Sequence, residues 1–288
     1  MTENVTIRDV ERELGRLREA STGPDQAPRL RTSVMTHLAW VPERWVEAVE
    51  GVMGELGERH PSRVILLFPL PDDRRDAIDA DVDLRCFMRE GEEREVCSEV
   101  ISLRLCGSRA SAPASIVQPL LVSDIPVFLR WRGDLPFGAA EFEQLVEIAD
   151  RLVVDSREWG DPAGAFQLLA DWFGEIVVSD IAWTRTHPWR EAVAALWPDV
   201  ADVRRLRVAG PKAEALLLST WLASRLGCRV ELDVEPAGEI ELVEVDGRAG
   251  TARLEAKSPA DLLSDQLEIF GRDRVYEEAV RSFSSVQT

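Results

Sequence analysis

"DIPVFLRWRGDLPFGAAEFEQLVEIADRLVVDS", residues 124 to 156, is the stretch on which the reading of the fold turns. The apolar run through Val127, Phe128 and Leu129, ending at Trp131, reads as a strand covered on both faces. Phe142, Leu145, Val146 and Ala149 then recur at helical spacing, and "RLVVDS" is a short second strand. Strand, helix, strand in that order predicts a parallel crossover unit, almost always right-handed. It places Trp131 and Asp155, each at the end of its strand, on the same rim of the sheet. That carboxyl-end rim is where open α/β sheets usually bind ligands.

Working toward the N-terminus, "HPSRVILLFP" (60–69) contains an unbroken apolar run from Val64 to Phe68, a second strand buried on both faces. Ile78, Ala80, Val82, Leu84 and Cys86 then alternate with Asp79, Asp81, Asp83 and Arg85. Beyond the polar turn "REGEERE" (89–95), Ile101, Leu103 and Leu105 alternate in the same way, which predicts an antiparallel pair with one wet face. "RTSVMTHLAWVP" (31–42) reads as extended, and Pro42 starts a helix carrying Trp45, Val46, Val49, Val52, Met53 and Leu56 on one face. A first amphipathic helix carries Ile7, Val10, Leu14 and Leu17, and "STGPDQAP" (21–28) after it reads as a loop.

Toward the C-terminus a second region begins near "REWGDPAG" (157–164). "RRLRVAG" (204–210) reads as a strand, and "PKAEALLLSTWLASRLG" (211–227) as a helix with Pro211 at its start and Gly227 at its C-cap. Three alternating strands follow from Cys228, with a turn at Asp246-Gly247, and a last helix runs from about Arg272. The expectation is two α/β domains, 1–160 and 161–288. The first has a mixed sheet containing the parallel crossover. The second has helices packed on a mostly antiparallel sheet.

The 288 residues include 52 acidic and 34 basic side chains, a net charge of −18. That balance opposes binding to nucleic acid or to an anionic membrane surface. The N-terminus lacks the basic start and apolar run of a signal peptide, and no apolar stretch is long enough to span a bilayer. The cytoplasm is the expected compartment, with the four cysteines as thiols. Cys86 and Cys97 face each other across the proposed hairpin, either as a redox-sensitive pair or as two small buried hydrophobes.

Catalytic motifs are lacking. His37, His60 and His187 form no zinc pattern, and the cysteines form no CxxC. There is no GxSxG, Walker loop or GxGxxG. The glycine and lysine of "AGPKAE" (209–214) read as an ordinary helix start, and the aspartates from Asp79 to Asp83 as the solvated face of a strand. No metal and no cofactor are expected.

One segment stands apart. "SDIAWTRTHPWREAVAALWPD" (179–199) gathers three tryptophans, two arginines and a histidine. Pro188 suits the first turn of a helix, capped by Thr186 or His187. Continued forward, that helix places Trp189, Val193, Leu196 and Trp197 on one face, as core anchors. Trp183 and Arg185 precede it in irregular backbone. Trp and Arg are the residues most enriched at protein–protein hot spots, so core packing and partner contact both stay open for this segment.

This segment also carries a family likeness. Together with "HPSRVILLF", "IPVFLRWRGDLP", "IADRLVVDS" and "AEALLLSTWLASRLG", in that order along the chain, it resembles the glucose-6-phosphate dehydrogenase assembly protein family, OpcA. The most specific part is W-T-R-x-x-P-W-R, Trp183 to Arg190. One departure is Arg130 before Trp131, where the family commonly has two tryptophans. The resemblance implies a non-enzymatic protein that binds glucose-6-phosphate dehydrogenase, promotes its active oligomer and supports NADPH supply from the oxidative pentose phosphate pathway. On this reading Trp183, Arg185, Trp189 and Arg190 build the contact region, supported from the sheet rim by Trp131, Asp150, Arg151 and Asp155. Alanine at Arg185 and Arg190 is then expected to weaken the complex and leave the fold intact. The alternative is a sugar-phosphate or nucleotide binder, or an enzyme, using the rim near Trp131 and Asp155.

Overall fold

A computed structural model describes residues 1–20, 33–49, 52, 61–88, 95–254, 257–269 and 271–283. The expected loop at 21–28, the helix positions Met53 and Leu56, His60 and the turn residues 89–94 lie outside the described residues.

The first sheet contains β1 (Thr36–Trp40), β2 (Arg63–Leu70), β3 (Ile78–Met88), β4 (Glu95–Cys106), β5 (Val127–Trp131), β6 (Arg151–Val154) and β7 (Val177–Asp180). Its order is β3-β4-β2-β1-β5-β6-β7. The pairs β1·β2, β2·β4, β1·β5 and β5·β6 are parallel, and β3·β4 is antiparallel. The crossover read from residues 124–156 is therefore present, with α3 (Ala140–Glu147) between its strands and Phe142, Leu145 and Val146 buried. Before it the chain forms α1 (Ile7–Ala20) and α2 (Pro113–Val117), and residues 46–49 are helical as well.

Val64 to Leu67 are all buried, and since successive side chains point to opposite faces, both faces of β2 are covered there and the run needs no polar alternation. At the edge, β3 does alternate, with Asp81 and Asp83 exposed. Asp79 departs from that pattern. It is buried, because the N-terminal residues cover this part of the edge: Thr2 and Ala80 exchange backbone hydrogen bonds, and Asn4 N–H donates to Asp79 Oδ1 at 3.0 Å. Covering a sheet edge in this way removes a row of unpaired backbone groups from solvent.

Register sets Cys86 directly opposite Cys97, and the two are joined in a disulfide with Cα atoms 4.0 Å apart. This corrects the expectation of four thiols; Cys106 and Cys228 remain free. The bond closes a segment of 11 residues' separation, for which loop entropy alone gives about 3 kcal/mol of stabilisation. Cys86→Ser with Cys97→Ser is expected to lower stability toward urea by up to that amount. An unchanged midpoint would show that strand pairing alone orders the hairpin.

Two compact units divide the chain. One takes Met1–Arg132, Pro136–Val153 and Pro259–Glu268; the other takes Gly133–Leu135, Val154–Ser258 and Ile269–Thr288. Neither is one continuous stretch, and a division into domains at 160/161 stays a proposal.

The second unit holds α4 (Pro162–Trp172), α5 (Ile181–Arg185), α6 (His187–Ala194), α7 (Lys212–Leu226) and α9 (Arg274–Arg281), whereas α8 (Pro259–Glu268) belongs to the first. Its four-stranded sheet is built from β8 (Arg205–Gly210), β9 (Glu231–Pro236), β10 (Leu242–Val245) and β11 (Arg248–Ala249), in the order β11-β10-β8-β9. Two of its three pairings are antiparallel, and β8·β9 is parallel. Leu206, Val208, Val243 and Val245 point into the core while Arg205 and Arg207 face out, as the alternation predicts. Helix α7 begins after Pro211 and ends at Gly227, whose φ of 64° is the left-handed cap that glycine adopts without a Cβ clash. The turn at Asp246-Gly247 has positive φ at both residues, the geometry of the tight hairpin turn.

Candidate functional site

Strand β7 ends at Asp180, and its carboxylate starts the next helix: Oδ1 accepts from the Ala182 N–H at 2.9 Å and from the Ser156 N–H at 3.0 Å. Trp183 and Arg185 therefore sit on a short helix, α5, rather than in irregular backbone. Thr186 joins α5 to α6. Its hydroxyl does not cap α6; it donates to the Trp183 carbonyl at 2.7 Å and accepts from Arg190 Nε at 3.1 Å. The Arg190 guanidinium lies over the Trp183 ring, 3.5 Å from its centroid, a cation–π contact. Burial brings the Arg190 pKa down to about 10, with Asp273 and Glu191 opposing. On its other side Trp183 donates from Nε1 to Asp273 at 2.7 Å and tilts against Tyr276 at 5.6 Å. Trp183 is buried, and so is Trp189, which packs with Val193, Val208 and Leu218 in the unit's core.

Arg185 is held from outside the segment. Nη1 and Nη2 each donate at 2.8 Å to one Asp155 oxygen, a bidentate pair with both side chains largely covered. Beside it Arg157 donates to Glu214 from Nε and to both Glu239 oxygens at 2.7 Å. Glu214, in the first turn of α7, is fully buried; Oε1 receives Arg157, and Oε2 has no hydrogen-bond partner among the described residues. Burial pushes its pKa up to about 7 against the pull of Arg157. Asp180 is buried too. Burial first, and then the charge of Asp155, push its pKa up to about 6, while Tyr276 donates its hydroxyl to Oδ2 at 3.3 Å.

The fold thus brings together Arg185 with Asp155, and Trp183 with Arg190, and leaves Trp189 apart in the core. Arg185 neutralises a covered carboxylate, so a cost in stability, not an intact fold, is now the expected outcome of its alanine variant. Trp197 is the reverse case. Helix α6 ends at Ala194, and the Leu196 and Trp197 N–H groups bond back three residues, to Val193 and Ala194. The chain tightens ahead of Pro198, which disfavours helical backbone at the preceding residue. Trp197 therefore leaves the face shared by Trp189 and Val193 and is 63% exposed, not a core anchor.

In the first unit, Trp131 stacks on Trp40 with ring centroids 5.0 Å apart and meets Phe142 edge-on. These two tryptophans end β5 and β1, between which the chain reverses its direction of spread across the sheet. That switch point is where ligands usually enter such sheets, and here Trp40 and Trp131, both buried, stack at its strand ends. Asp150 accepts from the Val127 N–H at 2.8 Å. Arg151 is buried against Phe128, with its pKa lowered by that burial. Each has a local structural task.

Asp180, Arg157, Glu214, Asp273 and Tyr276 escaped the reading of the sequence. Asp180 and Asp273 carry one legible signal, an Asp immediately before a helical run, and both cap their helices. The others are joined through partners 57 to 96 residues away. Among the described residues no group of three or more His, Cys, Asp or Glu is placed to hold a metal, and no helix is long and apolar enough to cross a membrane.

Both units are of the α/β class, and Trp183, Arg185, Trp189 and Arg190 are engaged in packing, ion-pair and cation–π contacts of the second. Residues 54–171 match the family described as glucose-6-phosphate dehydrogenase subunit N-terminal domain, and residues 176–280 its C-terminal domain. The chain belongs to the OpcA glucose-6-phosphate dehydrogenase assembly family. It is similar to proteins provisionally named OxPP cycle protein OpcA. The one from Nostoc punctiforme is 24% identical over 67% of this chain and 44% of its own length. For Synechococcus elongatus the figures are 26%, 69% and 47%, and for Synechocystis sp. 24%, 61% and 39%. The chain thus spans less than half the length of these curated relatives.

Proposed function

We propose that this chain is a non-enzymatic partner of glucose-6-phosphate dehydrogenase that binds the enzyme in the cytoplasm and promotes its active oligomer. In doing so it supports NADPH supply from the oxidative pentose phosphate pathway. The observation that carries this reading is the match of both halves of the chain, in order, to a family described by that enzyme. A protein that binds one oligomer better than another shifts the population toward it by its difference in affinity, and no chemistry of its own is required.

The contact region of the proposal is the segment from α5 through α6. Trp183 and Trp189 shape it from beneath, and Arg185 and Arg190, each partly exposed, are held by Asp155 and by Trp183 and Thr186. Trp131, Asp150 and Arg151 support the proposal only as framework of the first unit. The test is size-exclusion chromatography with light scattering on this chain mixed with glucose-6-phosphate dehydrogenase of the same organism, with activity assayed at limiting glucose 6-phosphate. A co-eluting complex of raised activity is expected. Separate peaks with unchanged rates, under both reducing and oxidising conditions, would overturn the reading.

A further inference from the structure

The W-T-R-x-x-P-W-R residues are mostly committed to their own unit, so they offer a partner little free aromatic surface. The same segment ends on a side chain that is not committed. Trp197 is 63% exposed, whereas Trp183, Trp189 and Trp159 of the same unit are each 6% or less. Leaving an indole in water forgoes one of the largest apolar burials any side chain can make, and Trp leads the residues that anchor protein interfaces. Its surroundings are apolar and small. Ala194, Ala195, Pro198 and Ala201 are exposed along α6 and the turn after it, while Leu196, beside the ring in sequence, packs against the core.

Charge decides what fits there. Glu191, Asp199 and Asp202 are exposed around these residues. Arg248 pairs with Asp199, the His187 Nδ1 lies 3.9 Å from Glu191, and residues 191–203 contain no Lys or Arg. The border is therefore acidic, on a chain that carries −18 overall. An apolar anchor with an acidic border is complementary to an aliphatic-lined pocket rimmed by Lys or Arg, and the overall charge would steer such a partner toward it.

We propose that Trp197 is the anchor of the partner interface, inserting into a basic-rimmed apolar pocket on the dehydrogenase. The inference rests on the function proposed above and assigns its contact to the end of the segment. Arg185, Arg190, Trp183 and Trp189 then hold α6 in position beneath it. A second copy of this chain is the less suitable occupant, since two acidic borders would face each other.

The test measures binding of wild type, Trp197→Ser and Leu168→Ser to the purified dehydrogenase by calorimetry, with thermal melts of each. Leu168 is 53% exposed on α4 and serves as the control for removing a surface apolar group. We expect Trp197→Ser to bind at least 30-fold more weakly, about 2 kcal/mol, with its melting temperature and the affinity of Leu168→Ser unchanged. Glu191→Lys with Asp202→Lys should slow association and flatten its dependence on salt. Wild-type affinity in Trp197→Ser would overturn this inference and leave the functional reading standing. No binding by the wild type would overturn both. Self-association of the free chain that disappears in Trp197→Ser would make a second copy the occupant and overturn the assignment.

Discussion

Replacing Arg185 with alanine is expected to lower the stability of the second unit by about 3–5 kcal/mol, with a fall in melting temperature of roughly 10 °C. Asp155 loses its bidentate cation and keeps the Arg157 N–H on Oδ1 at 3.3 Å, while its side chain is only 9% exposed, so the charge is poorly compensated. Glu214 also loses a cation 3.9 Å away. The cost lies mainly in a covered carboxylate that has lost its cation. Arg185→Ala with Asp155→Ala should therefore recover most of the loss, a non-additivity that only a direct pair produces. Arg185→Lys should recover little, because an ammonium cannot reproduce the two parallel bonds. Urea unfolding of the four proteins decides this. A loss under 1 kcal/mol for the single variant would show that the pair is incidental.

The second large effect follows pH. The folded Asp180 carboxyl has a pKa of about 6, against an ordinary value of 3.8. Between these values the folded state holds a proton that the unfolded chain has released, so this group's contribution to stability falls as pH rises. The loss begins near pH 4 and is complete above about pH 7, where it amounts to about 3 kcal/mol. Glu214 is shifted the same way, up to about 7, and adds to the decline with the same sign. Carboxylates paired elsewhere act in the opposite direction, so the informative quantity is the difference between wild type and Asp180→Asn. The amide can still accept from Ser156 and Ala182 N–H, and it carries no charge. Asp180→Asn should gain about 2 kcal/mol on wild type between pH 4.5 and pH 7.5, read from urea midpoints. A difference that stays constant over this range would mean Asp180 is ionised throughout.

Much of the fold was legible because it is periodic. The unbroken Val64–Phe68 run predicted a strand covered on both faces, and Val64 to Leu67 of β2 are buried in succession. Alternation in β3 and β4 predicted an antiparallel pair with one wet face, and the pair is present, although Val96 to Ile101 of β4 are buried in succession; residues 124–156 predicted a parallel crossover, also present. Pro211 and Gly227 set the limits of α7. The candidate site was legible only as a collection of residue types. Trp183, Arg185, Trp189 and Arg190 could be picked out, but not which would be buried. Periodicity even misplaced Trp197, since it was carried past Ala194, where the helix stops.

By itself, then, the sequence determined the strands, the helices, the crossover and the family likeness, because apolar spacing, prolines and glycines act within a few residues of where they stand. Tertiary structure alone decided that Cys86 meets Cys97 in a covalent bond, that Arg185 is consumed by Asp155 and Glu214 left half-satisfied, and that Trp197 faces solvent. The Arg157–Glu214 and Asp180–Tyr276 bonds link residues 57 and 96 positions apart. Whether a carboxylate lies in water or beside a cation, and hence its charge and its role, depends on which distant elements pack against it, and no local pattern encodes that.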